Sequence, residues 1–313
     1  MSSGDHEHRV GPAGVVGTAA GGNAAEGHGA LPSLDRLAGL LVAGGVAVLS
    51  GAGLSTESGI PDYRGPTGSL RRHTPMTYQD FLAAEGNRRR YWARSHLGWR
   101  TIVGARPNAG HHAVQRLRRA GLVSGVITQN VDGLHRAAGT TDAVELHGSL
   151  DRVVCLDCGR TTPRERLDQR LHALNRAFPA QVRALAETVP ANPDGDADLP
   201  AELAQSFRIA PCEVCGGVLK PDVVFFGENV PVPRVQHCYD LVDDARALLV
   251  LGSSLSVLSG LRFARRAARA GKPVAIVNQG PTRADDLAAV RADLPLGAAL
   301  ATLADRLGAP VAP

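Results

Sequence analysis

Three short segments of the sequence carry most of the side chains that could do chemistry. Residues 51–64, 129–132 and 145–148 contain a glycine turn, two amides, several carboxylates and one histidine. Each segment lies at the end of an apolar run of the kind that favours a buried strand. Because an open parallel sheet gathers its ligand at the carboxyl ends of its strands, we expect the three segments to form one site.

The first segment is typical of a phosphate-binding turn. Gly51, Ala52 and Gly53 follow the apolar run 46–49, and glycines there let backbone N–H groups approach a pyrophosphate at a helix start. Thr56 occupies the third glycine position of the dinucleotide fingerprint, and no acidic residue ends a second strand. This pattern disfavours an ordinary dehydrogenase, and a simple tight turn is the alternative interpretation.

Two further polar loops follow apolar runs of the same kind. Small hydroxyl and amide side chains in such loops hold phosphate and ribose oxygens, or they cap the next helix. Three loops of this type at one sheet edge favour ligand binding. The residues are Gly252, Ser253 and Ser254 after run 247–251, and Asn278, Gln279 and Gly280 after run 274–277.

His147 is the candidate general base. It lies between the apolar run 144–146 and Gly148, so we expect it to leave a strand at a tight turn. An imidazole with an ordinary pKa of about 6.5 accepts a proton at neutral pH. A structural role is the alternative for a single histidine. Asn130 and Asp132, which end the preceding strand, favour the catalytic role because they place a dipole and a charge beside the same crevice.

Four of the five cysteines form two Cys-x-x-Cys pairs, Cys155 with Cys158 and Cys212 with Cys215. This spacing predicts a tetrahedral four-thiolate zinc site, in which no coordination position is left for substrate. We therefore predict one structural Zn²⁺; a redox dithiol is the alternative. Cys238 lies in a helical pattern and is expected to be a buried small apolar side chain.

Strand-like runs alternate with helical patterns along most of the chain, which predicts a doubly wound, Rossmann-like parallel sheet. We predict a helix that begins at Ser33, its N-cap. Further helices are predicted over residues 109–120, 234–242 and 258–270. The predicted strands are 46–49, 123–128, 143–146, 223–226, 247–251 and 274–277.

The strand rhythm stops between the two cysteine pairs, which indicates a small inserted module. We predict a disordered tail over residues 1–30, a large domain made of residues 31–150 and 221–313, and a zinc-binding module over residues 151–220. The tail is rich in Gly, Ala and Ser and has no hydrophobic period.

Composition argues against two classes of partner. The formal charge is +4, but only 2 Trp, 4 Tyr and 6 Phe are available for base stacking, so we expect no nucleic-acid partner. No apolar run approaches the roughly 20 residues of a membrane span, and no signal core begins the chain, so we expect no membrane partner. Cysteines arranged for metal binding favour a reducing compartment, and we predict a cytoplasmic protein.

The ordered motifs of this chain resemble those of the sirtuins, the NAD-dependent protein-lysine deacylases. The resemblance covers about residues 33–308. Its segments are residues 51–65, 128–135, 145–148, the two cysteine pairs, 220–228, 252–255 and Asn278.

The resemblance implies NAD as cofactor and His147 and Asn130 as catalytic residues. It places Tyr63 over the reacting ribose, Gln129 and Asn130 on that ribose, and Asp132 on the nicotinamide carboxamide. The full set of implied NAD contacts is Gly51, Ala52, Gly53, Glu57, Asp62, Tyr63, Arg64, Gln129, Asn130, Asp132, Gly252, Ser253, Ser254, Asn278, Gln279, Gly280 and Leu296.

The implied reaction transfers an acyl group from lysine to ADP-ribose. The acyl oxygen attacks the anomeric carbon of the nicotinamide ribose, nicotinamide leaves, and His147 then helps a ribose hydroxyl attack the resulting imidate. The implied partners are acylated-lysine proteins or peptides, which add as a strand beside Val224 and Phe225. A mono-ADP-ribosyltransferase and a non-catalytic NAD-sensing zinc protein are the alternatives.

Within the family, residues 59–64, 91–94 and 280–286 are most similar to the class II branch that contains the fourth mammalian, mitochondrial sirtuin. That branch is associated with removal of bulky or acidic acyl groups and with ADP-ribosyl transfer. Tyr91 and Arg94, three positions apart on one helical face, are candidates for holding an acidic acyl chain. The alternative is a solvated basic face that continues Arg88, Arg89 and Arg90.

Overall fold

The computed structural model of the protein describes residues 26–63, 75–185, 199 and 201–311. The helices are α1 Glu26–Val42, α2 Tyr78–Ala83, α3 Glu85–Gly104, α4 Ala109–Arg119, α5 Leu134–Ala137, α6 Arg164–Leu174, α7 Phe178–Leu185, α8 Ala201–Ser206, α9 Val232–Asp244, α10 Leu258–Arg269 and α11 Leu296–Arg306. The strands are β1 Val46–Ser50, β2 Val123–Thr128, β3 Val144–Glu145, β4 Gly148–Cys155, β5 Thr161–Pro163, β6 Leu219–Val223, β7 Ala247–Leu251, β8 Val274–Val277 and β9 Ala288–Ala292.

The larger sheet has six parallel strands in the order β3-β2-β1-β7-β8-β9. Every residue of β1, β7 and β8 is buried, as expected for strands covered by helices on both faces. The chain winds outward from β1 to β3 and then returns to β7 beside β1. This arrangement confirms the predicted doubly wound sheet and places its switch point between β1 and β7.

Helices cover both faces of this sheet. On one face α1, α4 and α11 pack around fully buried side chains such as Leu37, Leu117 and Leu300. On the other face α9 and α10 pack around Phe263 and Cys238, both 0% exposed. Cys238 is therefore the buried apolar side chain that the sequence predicted, and burial raises the pKa of its thiol to about 12.

The first helix begins earlier than predicted. Ser33 follows Pro32, whose restricted φ and missing N–H often mark a helix start, but α1 begins at Glu26 and includes that proline. The predicted N-cap position of Ser33 is thus wrong. Of the predicted tail, residues 1–25 lie outside the described residues.

The smaller sheet is antiparallel, with the strand order β5-β4-β6. Its strand β6 contains Pro221, which lacks a donor for a sheet hydrogen bond and is tolerated because β6 lies at an edge. The prediction of a strand over residues 223–226 is wrong, since β6 ends at Val223. A turn follows instead, because Lys220 and Glu228 bind each other across it, with Nζ and Oε2 3.0 Å apart.

A second core joins α2 and α3 to the small sheet. Its centre is a cluster of three rings, Phe81, Tyr91 and Phe225, whose centroids lie 5.1 to 5.5 Å apart. Such aromatic contacts favour edge-to-face geometry, which two of the three pairs adopt. The cluster fixes the turn after β6 against α3.

A buried arginine lies at the base of this second core. The side chain of Arg164 is 1% exposed, and its guanidinium lies 4.7 Å from the Trp99 ring and 5.3 Å from the Trp92 ring. Asp168 balances the charge: its Oδ1 is 3.5 Å from the arginine and 2.6 Å from Nδ1 of His96. These partners hold the pKa of Asp168 below its usual value.

The described helices include none that combines the length and the apolar character needed to cross a bilayer.

Candidate active site

The carboxyl ends of β1 and β7 approach each other so closely that only glycine fits. Gly53 donates its backbone N–H to the Gly252 carbonyl over 2.9 Å. A Cβ on Gly51 would lie 2.7 Å from that of Ser253, and a Cβ on Gly252 would lie 2.5 Å from the Leu54 nitrogen. Gly252 also has a φ of 59°, in the left-handed region that favours glycine. The two loops therefore form one narrow wall of the crevice.

After Gly51 the chain forms two short 3-10 turns, Ala52–Leu54 and Thr56–Ser58. Residues of two helices hydrogen-bond to these turns. Asn108, the N-cap of α4, donates Nδ2 to the Leu54 carbonyl over 2.7 Å. The Glu57 carboxylate accepts the backbone N–H of Gly297, the second residue of α11, over 2.9 Å. Two helices thus fix the loop that was predicted to approach a pyrophosphate.

A chain of polar side chains lines the crevice beside this loop. Asn130 is 9% exposed and donates Nδ2 to the Gly51 carbonyl and to Ser55 Oγ, both over 3.0 Å. Ser55 in turn donates to the Asp132 carboxylate over 2.7 Å. Gln129 donates Nε2 to Ser253 Oγ over 2.9 Å, so the ends of β1, β2 and β7 are connected. Burial raises the pKa of Asp132.

His147 has both ring nitrogens engaged. Nδ1 lies 2.9 Å from the Gln129 carbonyl, an acceptor only, so Nδ1 carries the proton. Nε2 lies 2.8 Å from Ser259 Oγ, and its lone pair accepts the serine hydroxyl. Burial, with the charges of Arg234 and Arg262, lowers the pKa of His147 to about 4. The imidazole is therefore neutral at pH 7 and has Nε2 available as a base.

A buried hydrogen-bond network supports the crevice from behind. Ser50 donates Oγ–H to Thr128 Oγ1 over 2.9 Å, and Thr128 accepts the Asn130 backbone N–H over 3.1 Å. His135 Nε2 lies 2.8 Å from Ser50 and acts as the donor, since the serine proton is already used. Burial lowers the pKa of His135 to about 4, so this histidine is also neutral at pH 7.

The four cysteines fit one zinc ion. Their Sγ atoms all lie within 4.8 Å of one another, and the Cys155–Cys215 and Cys158–Cys212 distances are 3.5 and 3.9 Å. A tetrahedral site with Zn–S bonds of about 2.3 Å requires sulfurs about 3.8 Å apart. All four cysteines are free thiols, and their convergence on one point, rather than as two separate dithiols, favours the zinc site over the redox-dithiol alternative.

The two cysteine pairs have matching backbone turns. Gly159 donates its N–H to the Cys155 carbonyl and Gly216 donates to the Cys212 carbonyl, each over 3.0 Å. Both glycines have positive φ, 71° and 75°. Each pair therefore forms the same knuckle, and the two knuckles face each other.

The turn after β6 lies directly beside His147. Val224 donates its backbone N–H to the His147 carbonyl over 2.8 Å, and Phe225 donates to the Glu228 carboxylate over 2.8 Å. Lys220, 4% exposed, contributes its amine to the same carboxylate. A buried ion pair thus orders the segment that the sequence predicted as the edge for a substrate peptide.

Comparison with known proteins identifies the family. The Sir2 family model matches residues 51–259. The chain is 66% identical over 275 residues to NAD-dependent protein deacetylase 1 of Streptomyces coelicolor, covering 88% of this chain and 90% of that protein. The chain belongs to the Sir2 family.

Other members of the family agree in sequence and fold. NAD-dependent protein deacetylase 2 of Bradyrhizobium diazoefficiens is 49% identical over 256 residues, covering 82% of this chain and 92% of that protein. A solved Sir2 complex with a p53 peptide and NAD⁺ superposes with a TM-score of 0.66 at 27% identity, covering 88% of this chain and 98% of that one. These matches extend over nearly the whole Sir2 core of this chain.

Hydrogen bonds and close packing bring several of the predicted site residues of this Sir2 protein to one crevice: Gly51, Gly53, Gln129, Asn130, Asp132, His147, Gly252 and Ser253. Arg64 lies outside the described residues. The Leu296 side chain is 4% exposed and packs in the first core. Asn278 donates both Nδ2 hydrogens into its own turn, to the carbonyls of Gln279 and Gly280, each over 2.9 Å. Tyr63 lies edge-on to Phe226, with ring centroids 6.1 Å apart.

The predicted acyl-binding pair lies on the inner side of α3. Tyr91 is 5% exposed and packs against Phe225, which adjoins the residue hydrogen-bonded to His147. Arg94 is partly exposed on the same helix. Arg89 pairs with Glu85 on the solvent side. The basic surface and the Tyr91 position therefore belong to different faces of α3.

Two residues of the site were missed by sequence reasoning. Ser259 at the start of α10 contacts Nε2 of His147, and Ser55 links Asn130 to Asp132. Ser55 lies within the glycine-turn segment, so its position near the crevice was visible from the sequence. Ser259 is 112 positions from His147, and a contact of that separation leaves no local signal.

Proposed function

We propose that this chain is an NAD-dependent protein-lysine deacylase that transfers the acyl group to ADP-ribose and releases nicotinamide. One observation carries the proposal: a neutral histidine has Nδ1 fixed by the Gln129 carbonyl after β2 and Nε2 bonded to Ser259 after β7, in the crevice that is also lined by buried Asn130 and half-buried Asp132. The relatives that carry the name NAD-dependent protein deacetylase support it.

The crevice has the donors that a dinucleotide requires. Gly51 and Gly53 let the loop after β1 pack directly against Gly252 and Ser253. Gln129, Asn130 and Ser253 offer polar groups for ribose oxygens beside that wall. When bound, NAD supplies a ribose carbon from which nicotinamide leaves as a stable neutral molecule. We propose that the remaining contacts follow the residues named from the sequence.

His147 and its neighbours would move one proton. Nε2 accepts it from a ribose hydroxyl when that hydroxyl replaces Ser259 as hydrogen-bond donor. Nδ1 remains bonded to the Gln129 carbonyl, so the ring keeps its orientation and the positive charge is shared with a fixed dipole. Asn130, held by Gly51 and Ser55, orients the sugar without needing to change its protonation.

Positioning is the larger contribution of the fold. Aligned reactants gain roughly 7 to 11 kcal/mol relative to a free encounter. The turn after β6, ordered by Lys220 and Glu228, and the loop held by Asn108 and Glu57 lie on either side of the crevice. A rigid crevice of this kind orients an acyl-lysine toward the sugar.

We also propose the finer placement of this chain in the class II branch of the family. Its support is the burial of Tyr91 against Phe225 with Arg94 one turn further along α3, an arrangement suited to acyl chains longer or more acidic than acetyl. We also propose the domain division, with a zinc module over residues 151–220. The two knuckles lie within these bounds and support it, whereas the antiparallel sheet extends a few residues beyond them, from Gly148 of β4 to Val223 of β6.

Incubation with NAD and a panel of acyl-lysine peptides tests the function. We expect free lysine peptide and acylated ADP-ribose in equal amounts by mass spectrometry, with glutaryl or longer acyl groups turned over faster than acetyl. ADP-ribose attached to protein would instead indicate a mono-ADP-ribosyltransferase. Binding of NAD without any product would indicate a non-catalytic sensor. A preference for acetyl would contradict only the class II assignment.

A further inference from the structure

A basic groove runs along the outer faces of α9 and α10. Its cavity of about 570 Å³ is lined by Tyr239 and Asp243 of α9 and by one side of α10. Spacings of three and four positions place the arginines of α10 on that side. They are Arg262, Arg265, Arg266 and Arg269.

Most of the positive charge in this groove is not balanced. Arg266 binds both carboxylate oxygens of Asp243, at 2.7 and 2.5 Å, and its guanidinium lies 4.5 Å from the Tyr239 ring centroid. Among the described residues, the other three arginines have no carboxylate at salt-bridge distance. Within the part of the chain that the structure describes, the groove therefore carries three guanidinium groups without a carboxylate partner, two of which, Arg265 and Arg269, are exposed.

The groove begins at the catalytic crevice. Leu258, 57% exposed, lies at its upper end, and the next residue, Ser259, is hydrogen-bonded to His147. The charge of Arg262 contributes to the lowered pKa of His147, so its field reaches the base. From Ser259 to Arg269 the helix extends about 15 Å, a length that an extended peptide covers in about five residues.

We propose that this groove binds an acidic stretch of the polypeptide that carries the acyl-lysine, with Asp or Glu within about five positions of that lysine. The inference rests on the proposed deacylase function and adds a substrate preference to it. Guanidinium groups suit carboxylates because the fork of N–H donors binds both oxygens, and a basic cleft attracts an acidic partner before contact.

The groove fits an acidic peptide better than a nucleic acid. Binding of single strands needs open aromatic faces for the bases, and Tyr239, the one aromatic residue lining the groove, is covered by Arg266 and packs against Phe263. The groove also adjoins the site where the substrate peptide must present its lysine. Residues of that peptide that flank the lysine can therefore continue into the groove.

Two acyl-lysine peptides with one central sequence test the proposal, one with Glu and Asp in the flanks and one with Gln and Asn. Exposed ion pairs contribute little each, so we expect about a fivefold lower KM for the acidic peptide, with kcat within twofold. The advantage decreases between 50 and 300 mM salt because the charges are exposed. The double variant Arg265→Glu/Arg269→Glu raises the KM of the acidic peptide to or above that of the neutral one.

Arg119→Glu is the charge-matched control for the single variant Arg269→Glu, since Arg119 ends α4 as Arg269 ends α10, on the other face of the sheet. We expect the control to leave both KM values unchanged and Arg269→Glu to raise that of the acidic peptide. Equal KM values for the two peptides in the wild type, or equal effects of the double variant on both, would overturn the proposal. So would displacement of a fluorescently labelled acidic peptide by equimolar DNA. If neither peptide is turned over, the deacylase function is wrong. The groove is then tested separately by the affinity of the labelled acidic peptide, which should be lower for the double variant than for the wild type; equal affinities would overturn the groove proposal as well.

Discussion

At the scale of single residues, the site depends on how the imidazole of His147 is held. The Gln129 carbonyl fixes the proton on Nδ1, and Ser259 donates to Nε2. A hydrogen bond to the neutral form of a base disfavours its protonated form, and burial acts in the same direction. Ser259 is therefore a positioning residue that keeps the base neutral and oriented before NAD enters.

Replacing Ser259 with alanine tests this role. Loss of the donor favours protonation of Nε2, so we expect the acidic limb of the kcat/KM profile to move to higher pH. Because the ribose hydroxyl replaces Ser259 in the reacting complex, the energy of this hydrogen bond is not itself lost from kcat/KM; we expect a decrease of at most about fivefold at pH 7.5, from the less well-oriented ring. Ser259→Thr keeps the hydroxyl and should restore the profile. An unchanged limb in the alanine variant would show that the serine only fills space.

At the scale of elements, the crevice exists because the loops after β1 and β7 pack backbone to backbone. Two constraints act on Gly252. Its φ is 59°, and a Cβ added to it would lie 2.5 Å from the backbone nitrogen of Leu54. The second constraint is the important one, because alanine tolerates a positive φ at a cost of about 1 kcal/mol when space is available. Residues of two separate strand ends are thus locked into one wall.

Gly252→Ala and Gly121→Ala separate these two constraints. Gly121 has a φ of 74° with nothing within 4 Å of an added Cβ, so its variant pays only the conformational cost. We expect Gly252→Ala to lose about 2 kcal/mol more than Gly121→Ala in urea unfolding, because the loop must shift. NAD affinity should fall in the Gly252 variant alone. Equal losses of stability would contradict the close packing.

At the scale of the whole molecule, the active-site region is built on histidines kept neutral by burial. The pKa of His111 is lowered to about 3, and those of His135 and His147 to about 4. In the unfolded chain each imidazole titrates near pH 6.5. Between about pH 6.5 and 4 the unfolded state therefore binds more protons than the folded state, and stability increases with pH.

This linkage predicts acid sensitivity of the fold. As the pH falls through that window, each such histidine lowers the free energy of unfolding by up to about 1.4 kcal/mol per pH unit. The free energy from urea unfolding should therefore be several kcal/mol lower at pH 5.5 than at pH 7.5. Replacing His111 with glutamine removes one titrating group and should reduce the difference. A free energy of unfolding independent of pH would refute the neutral assignment of these histidines.

Five of the six strands of the large sheet were predictable because they lie in apolar runs, and β2, β7 and β8 begin and end at the predicted residues. The edge strand β9 was missed, since it contains Arg291 and is only partly buried. The small sheet was not, since β4 is partly polar, β5 has only three residues, and the pairing of β4 with β6 joins distant parts of the chain. The run 223–226 is as apolar as a strand, but the pairing of Lys220 with Glu228 turns the chain there. Crevice residues followed from strand ends, whereas Ser259 required the tertiary structure.

The central claim is that neutral His147 acts as the base of an acyl transfer from lysine to ADP-ribose. Steady-state formation of free-lysine peptide and acylated ADP-ribose, the products of the step that follows nicotinamide departure, tests it most directly when measured for wild type and His147→Gln with zinc content as the control for folding. We predict one zinc ion per chain in both proteins and a loss of activity of about 100-fold or more in the variant. Undiminished turnover by a folded, zinc-loaded His147→Gln protein would contradict the account.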